Sequence, residues 1–236
     1  MARKPSRSKP AKPSRKRIPT STRDGTARER IIRAFMALLA KKPYESISLT
    51  EIAARAGVSL AQLRGEFDSA LAILAAHMKE IDREVLAGGD SDMAEETPRD
   101  RLFDVLMRRL EALAPYKAAL RSLLRSATCN PGLALAINRL AVRSQRWMLS
   151  AADIDASGPK GALRAQGLAL LFTRVLRVWL ADDDPGLAKT MAALDRGLTR
   201  GQSWSRLLDD LCALVPPRCP PRRRRGRAAE EEPAAA

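Results

Sequence analysis

The sequence predicts an all-α protein, with a small N-terminal helical domain and a larger helical domain after it. Three observations carry this. Hydrophobic residues make up 45% of the chain and aromatic residues only 4%, so the core must be built mainly from Leu, Ala, Val, Ile and Met. Ala and Leu favour helices, and β-branched residues are sparse. From residue 26 onward, apolar positions recur at spacings of three and four, the signature of amphipathic helices. No internal repeat and no alternating apolar run suggests a strand.

The elements follow in order. Residues 1–23 carry nine Lys or Arg, no acid, and Pro5, Pro10, Pro13 and Pro19, which predicts a disordered basic arm. A first helix is expected from Thr26 to Lys41, with Ile31, Phe35, Leu38 and Leu39 on one face and Pro43 stopping it. The stretch "SLTEIAARAGVSLAQLRGEF", Ser48 to Phe67, then reads as two short helices around a glycine turn. Ser48 with Glu51, and Ser59 with Gln62, have the spacing of capping boxes. Gly57 closes the first helix, because glycine accepts a positive φ at little cost. Ile52, Ala53 and Ala56 are its expected core positions.

Ser69 opens a longer helix, with Leu74, Met78, Ile81 and Val85 in line, ended at Gly88-Gly89. The acidic stretch "DSDMAEE" follows and marks a boundary. Thr97-Pro98 is a helix start, since proline at the first position loses no hydrogen bond. Further helices are expected near 115–127, 132–152, 160–181, 185–200 and 201–215, punctuated by Pro115, Pro131, Gly158-Pro159 and Asp184-Pro185. The expected domains are a basic arm at 1–23, a helix-turn-helix domain with connecting helix at 24–90, a helical ligand-binding and dimerisation domain at 91–215, and a disordered tail at 216–236.

The formal net charge of +15 is mostly terminal. The arm holds +9, residues 216–236 hold six Arg against three Glu, and the remainder is left with +3. Residues 24–90 carry nine Lys or Arg against ten Asp or Glu. Cys129, Cys212 and Cys219 form no CxxC pair, and with His77 as the sole histidine no zinc spacing exists. They are expected to be free thiols in a reducing compartment. No metal and no cofactor is expected: Asp182, Asp183 and Asp184 could suggest a metal, but a helix end before Pro185 explains them as surface capping. No enzyme activity is expected either, because His77 has no nucleophile pattern around it and no glycine-rich phosphate loop occurs. "LALLFTRVLRVWL" (168–180) is broken by Arg174 and Arg177, so it is a buried helix rather than a membrane span. The expected location is the cytoplasm.

"SISLTEIAARAGVSLAQLRGEF", with Leu49, Ile52, Ala53, Ala56-Gly57-Val58-Ser59, Leu63, Phe67 and Ser69, resembles the N-terminal domain of the TetR family of transcriptional repressors over about residues 26–75. That resemblance implies a TetR-like fold, a homodimer, a palindromic operator and a small-molecule ligand. It places the helix after Gly57 in the major groove, with half-sites about one helical turn, 34 Å, or a multiple of it apart. Ser48, Ser59, Leu60, Ala61, Gln62 and Arg64 are then the DNA-contacting candidates. The sequence departs from the family pattern here. Leu60, Ala61 and Gln62 stand where Lys, Gly and Thr are common. Arg64, Gly65 and Glu66 stand in a Tyr-x-His position, and Ala70 replaces a usual Lys.

"RDRLFDVLMRRLEALAPYKAALRSLLR" and "RVWLADDDPGLAKTMAALDRGLTRGQSW", with Trp179 to Asp183, are similar to a TetR-like branch of lipid-binding proteins in ubiquinone biosynthesis. This implies an alternative function: a lipid-binding accessory protein that keeps the fold without operator binding, with peripheral membrane contact through 201–215. Candidate walls of an apolar or isoprenoid ligand pocket are Phe103, Leu106, Met107, Trp147, Met148 and Phe172. The family dimerises through its last large helices, which gives Leu171, Val175, Val178 and Trp179 as dimer-interface candidates.

Overall fold

A computed structural model describes residues 25–89 and 96–213, with the backbone alone for 202–213. The expected basic arm at 1–23, the tail at 216–236 and Cys219 lie outside these residues. The described residues form helices α1 (Ala27–Leu39), α2 (Leu49–Ala56), α3 (Leu60–Glu66), α4 (Ala70–Ala87), α5 (Pro98–Leu113), α6 (Lys117–Cys129), α7 (Pro131–Ala151), α8 (Gly158–Leu180) and α9 (Ala188–Ala213). No strand occurs among them.

The chain divides into two compact units. Unit 1 runs to His77 and includes Tyr116–Pro131; unit 2 takes Met78–Pro115 and the chain from Gly132. One division therefore falls inside α4.

Unit 1 is built on α1, which packs against α2, α3 and α6. Ile31, Phe35, Leu39, Ile52, Leu63, Ile73 and Leu74 are its most deeply buried apolar side chains. Thr26 caps α1 with a full box: its hydroxyl accepts from the Glu29 N–H, and the Glu29 carboxylate accepts from the Thr26 N–H at 2.9 Å. Two hydroxyls of α6 tie down the loop after α1. Ser122 Oγ donates to the Lys42 carbonyl at 2.9 Å, and Ser126 Oγ accepts from the Tyr44 N–H at 3.0 Å. The Tyr44 ring meets Phe35 edge-on, with centroids 6.3 Å apart.

Unit 2 has its core between α5, α8 and α9, with Leu106, Leu110, Met148, Trp179 and Leu194 fully enclosed. Thr97 and Pro98 start α5 as expected, the Thr97 hydroxyl accepting from the Asp100 N–H. At the centre lies an ion pair. Arg109 Nη1 donates to Asp82 Oδ1 at 2.6 Å, Ser144 Oγ donates to the same oxygen at 2.6 Å, and the guanidinium sits 5.4 Å from the Phe172 ring centroid. Burial pulls the Arg109 guanidinium below its ordinary value, against the opposing pull of Asp82.

Three local expectations change. The expected break at Gly201 is absent, and α9 runs on to Ala213 as one helix. A lone glycine with helical neighbours costs about 1 kcal/mol but does not by itself end a helix. At α2 only half of the expected capping box forms. Ser48 Oγ accepts from the Glu51 N–H, while the Glu51 carboxylate turns to an ion pair with Lys42. The acidic run before Pro185 is not all surface. Asp182 is 1% exposed and accepts from both the Thr190 N–H and the Thr190 hydroxyl, which hold its carboxyl below the ordinary range, the hydroxyl most strongly. Asp184 accepts from the Gly186 and Ala188 N–H groups at the start of α9.

Candidate nucleic-acid interface

The α2–α3 unit owes its shape to short-range chemistry. Gly57 takes φ +64°, the left-handed conformation that ends α2, and its N–H returns to the last turn. Arg30 Nε, from α1, donates to the Ala56 carbonyl at 3.1 Å and so satisfies an acceptor that the helix end leaves open. Ser59 and Gln62 form the complete reciprocal box that starts α3. Leu63, at 2% exposure, anchors α3 inward, and Phe67 closes it.

The six DNA-contact candidates have these surroundings. Ser48 and Ser59 are exposed, and each hydroxyl oxygen accepts a capping bond, which leaves its proton to donate. Leu60 is 50% exposed, and Ala61 is exposed beside it. Gln62 accepts from the Ser59 N–H through its Oε1 at 2.9 Å. Arg64 forms an i,i+4 ion pair with Asp68. Glu66, an unwelcome charge for a phosphate surface, lies 3.7 Å from Arg28, whose guanidinium also stacks 4.5 Å over the Phe67 ring. Spacing within α3 gives no sign of Arg28 or Arg30; their roles come from the packing of α1 onto the turn.

The other candidates lie in unit 2. Leu106 and Met148 are fully enclosed and Phe172 is 7% exposed, while Phe103 and Met107 are half-buried and Trp147 is 57% exposed. Trp147 lines a shallow concavity with Arg143, Arg146 and Ser150, and none of the six lines the apolar groove of the unit. That groove has a volume of about 930 Å³, with walls that include Leu163, Leu170, Leu171, Val178 and Gly197 and a rim of Arg164, Arg174, Arg196 and Arg200. Of the four interface candidates, Val175 and Trp179 are buried within unit 2, Leu171 is half-buried, and Val178 is exposed. Among the described residues no group of three or more His, Cys, Asp or Glu is placed so that it could hold a metal ion, and no helix is long and apolar enough to cross a membrane.

No protein-family model matches the sequence, and no curated protein matches it. Solved structures do. A TetR transcriptional regulator from Nitrosomonas europaea superposes with a TM-score of 0.59, at 22% identity, over 76% of this chain and 99% of that one. The chain has the TetR fold. A second TetR transcriptional regulator, from Rhodococcus, gives a TM-score of 0.52 at 23% identity, over 74% of this chain and 95% of its own. In the TetR fold an N-terminal helix-turn-helix domain precedes a C-terminal helical domain. The α2–turn–α3 segment of this chain is that helix-turn-helix.

Proposed function

We propose that the protein is a DNA-binding transcriptional regulator, acting as a repressor and controlled by a small apolar ligand. The observation that supports this most directly is the α2–α3 unit: capped at both helices, anchored by Leu63 and Arg30, and exposing Leu60, Ala61 and Arg64 on its outer side. Such a helix fits a major groove.

Residues 24–90 are nearly charge-balanced, so affinity has to come from elsewhere. Nine cations in residues 1–23 stand directly before α1. Each phosphate they neutralise releases counterions and adds about −0.9 to the slope of log affinity on log salt. Deleting residues 1–22 is therefore expected to weaken duplex binding and flatten that slope, measured across a salt series. Equal affinities and slopes would defeat this account of the arm.

In this reading two copies meet through α8 and α9 and present paired α3 helices to a palindromic operator in the cytoplasm. Leu163, Leu170 and Val178 are exposed on α8 alone, an apolar strip that a second copy would cover. Ligand control is assigned to unit 2. An apolar molecule entering near Leu106, Met148 and Phe172 would disturb the Asp82–Arg109–Ser144 cluster, and Asp82 belongs to α4. Organic extraction of the purified protein tests this part: no apolar molecule bound, and none that alters DNA binding, would refute ligand control. The lipid-binding alternative has no support from the fold matches, which are described as transcriptional regulators. The membrane contact expected at 201–215 falls where no side chain beyond Gly201 is described.

A further inference from the structure

The outward face of α3 has few polar groups left to read bases. Gln62 can pair with adenine in two-point fashion only by offering its amide oxygen and nitrogen together. Its side-chain oxygen accepts from the Ser59 N–H at 2.9 Å, and its backbone N–H completes the box at 3.1 Å, so the carboxamide oxygen is held at the helix start. Arg64 is tied through Nη1 to Asp68, which leaves Nε and Nη2 as its donors towards a base. Glu66 is opposed by Arg28.

The first exposed positions of α3 are apolar. Leu60 keeps half of its surface in water, although Leu63 three positions on already supplies the inward anchor. Ala61 is exposed next to it. Gly65, one turn after Ala61, has open space where a Cβ would stand, with nothing within 4 Å. A glycine inside a helix costs about 1 kcal/mol relative to alanine. Among the described residues no neighbour requires that glycine, which suits close approach by an outside surface. Leu60 with Arg64, and Ala61 with Gly65, fall on one side of the helix at i,i+4 spacing.

In the major groove of B-DNA the apolar group at a base edge is the C5-methyl of thymine. We infer that Leu60 and Ala61 read thymine methyl groups, with Gly65 admitting the duplex closely, so that half-site selectivity rests on thymine-bearing steps. The inference rests on the DNA-binding reading above and assigns the specificity within it.

The test uses the full-length protein. Duplexes are selected from a random thymidine-containing pool, and the enriched duplex is remade with deoxyuridine at every thymidine. Removing one contacted methyl is expected to weaken binding about fourfold, the equivalent of one buried methylene. The L60A variant, checked for an unchanged melting temperature, is expected to show a clearly smaller difference between the two duplexes, the part that Ala61 retains. If the wild-type protein binds both equally, or L60A keeps the full difference, the thymine assignment is overturned while DNA binding stands. If no duplex is enriched at all, the regulator reading fails and takes this inference with it.

Discussion

His77 is the sole histidine of the chain, and its imidazole is 3% exposed in unit 1 with Nε2 unpartnered. The Tyr116 ring meets it edge-on, centroids 4.3 Å apart. Burial pushes its pKa down from 6.5 to about 4, because the imidazolium would lose its hydration. Between those values the unfolded chain binds a proton that the folded chain does not. Stability is therefore full above about pH 6.5 and is lost as pH falls towards 4. At 1.36 kcal/mol per pKa unit, the loss is about 2 kcal/mol at pH 5 and about 3 kcal/mol by pH 4. Unperturbed carboxylates titrate near 4 and the terminal amine near 8, so the window from pH 6.5 to 5 belongs mainly to this one group. Urea unfolding at pH 7, 6, 5.5 and 5 measures the slope, expected to approach 1.4 kcal/mol per pH unit at its lower end. The H77F variant keeps an aromatic ring against Tyr116 and is expected to show a nearly flat profile. A single pair of imidazole resonances gives the folded pKa directly by NMR. A midpoint near 6.5, or equal slopes in the two proteins, would refute the burial argument.

Two further outcomes are expected. Replacing Asp82 with Ala leaves the Arg109 charge buried without its partner and is expected to cost about 3–5 kcal/mol in urea unfolding. The double replacement Asp82→Leu with Arg109→Met is expected to recover most of that loss; no recovery would mean that the pair is not the source of the cost. If α8 pairs with a second copy, the wild-type protein sediments as a dimer at micromolar concentration and the Leu170→Glu variant as a monomer. A wild-type monomer under those conditions would count against both the dimer and the palindromic operator.

The sequence by itself determined the helical class and the start and stop of most helices, because these depend on chemistry within a few residues. Ser59 with Gln62, Gly57 and Thr97-Pro98 act over one turn, and the structure shows each in the expected place. The same short range explains the misreadings. Gly201 stops a helix only if nothing carries the helix onward, and Glu51 completes a capping box only if no cation competes; here α9 continues and Lys42 takes the carboxylate. Tertiary packing decided what spacing cannot encode. It set α6 hydroxyls against the loop after α1, Arg28 against Glu66, and Asp82 against Arg109, pairs separated by 27 to 82 positions where a hydrogen bond joins them. It also placed the groove of unit 2 beside Leu163 and Leu170 rather than Leu106 and Met148. Periodicity shows that a residue is apolar and which side of its helix it occupies. Which apolar side is sealed inside and which is left at the surface depends on how helices far apart in the chain share the available surface.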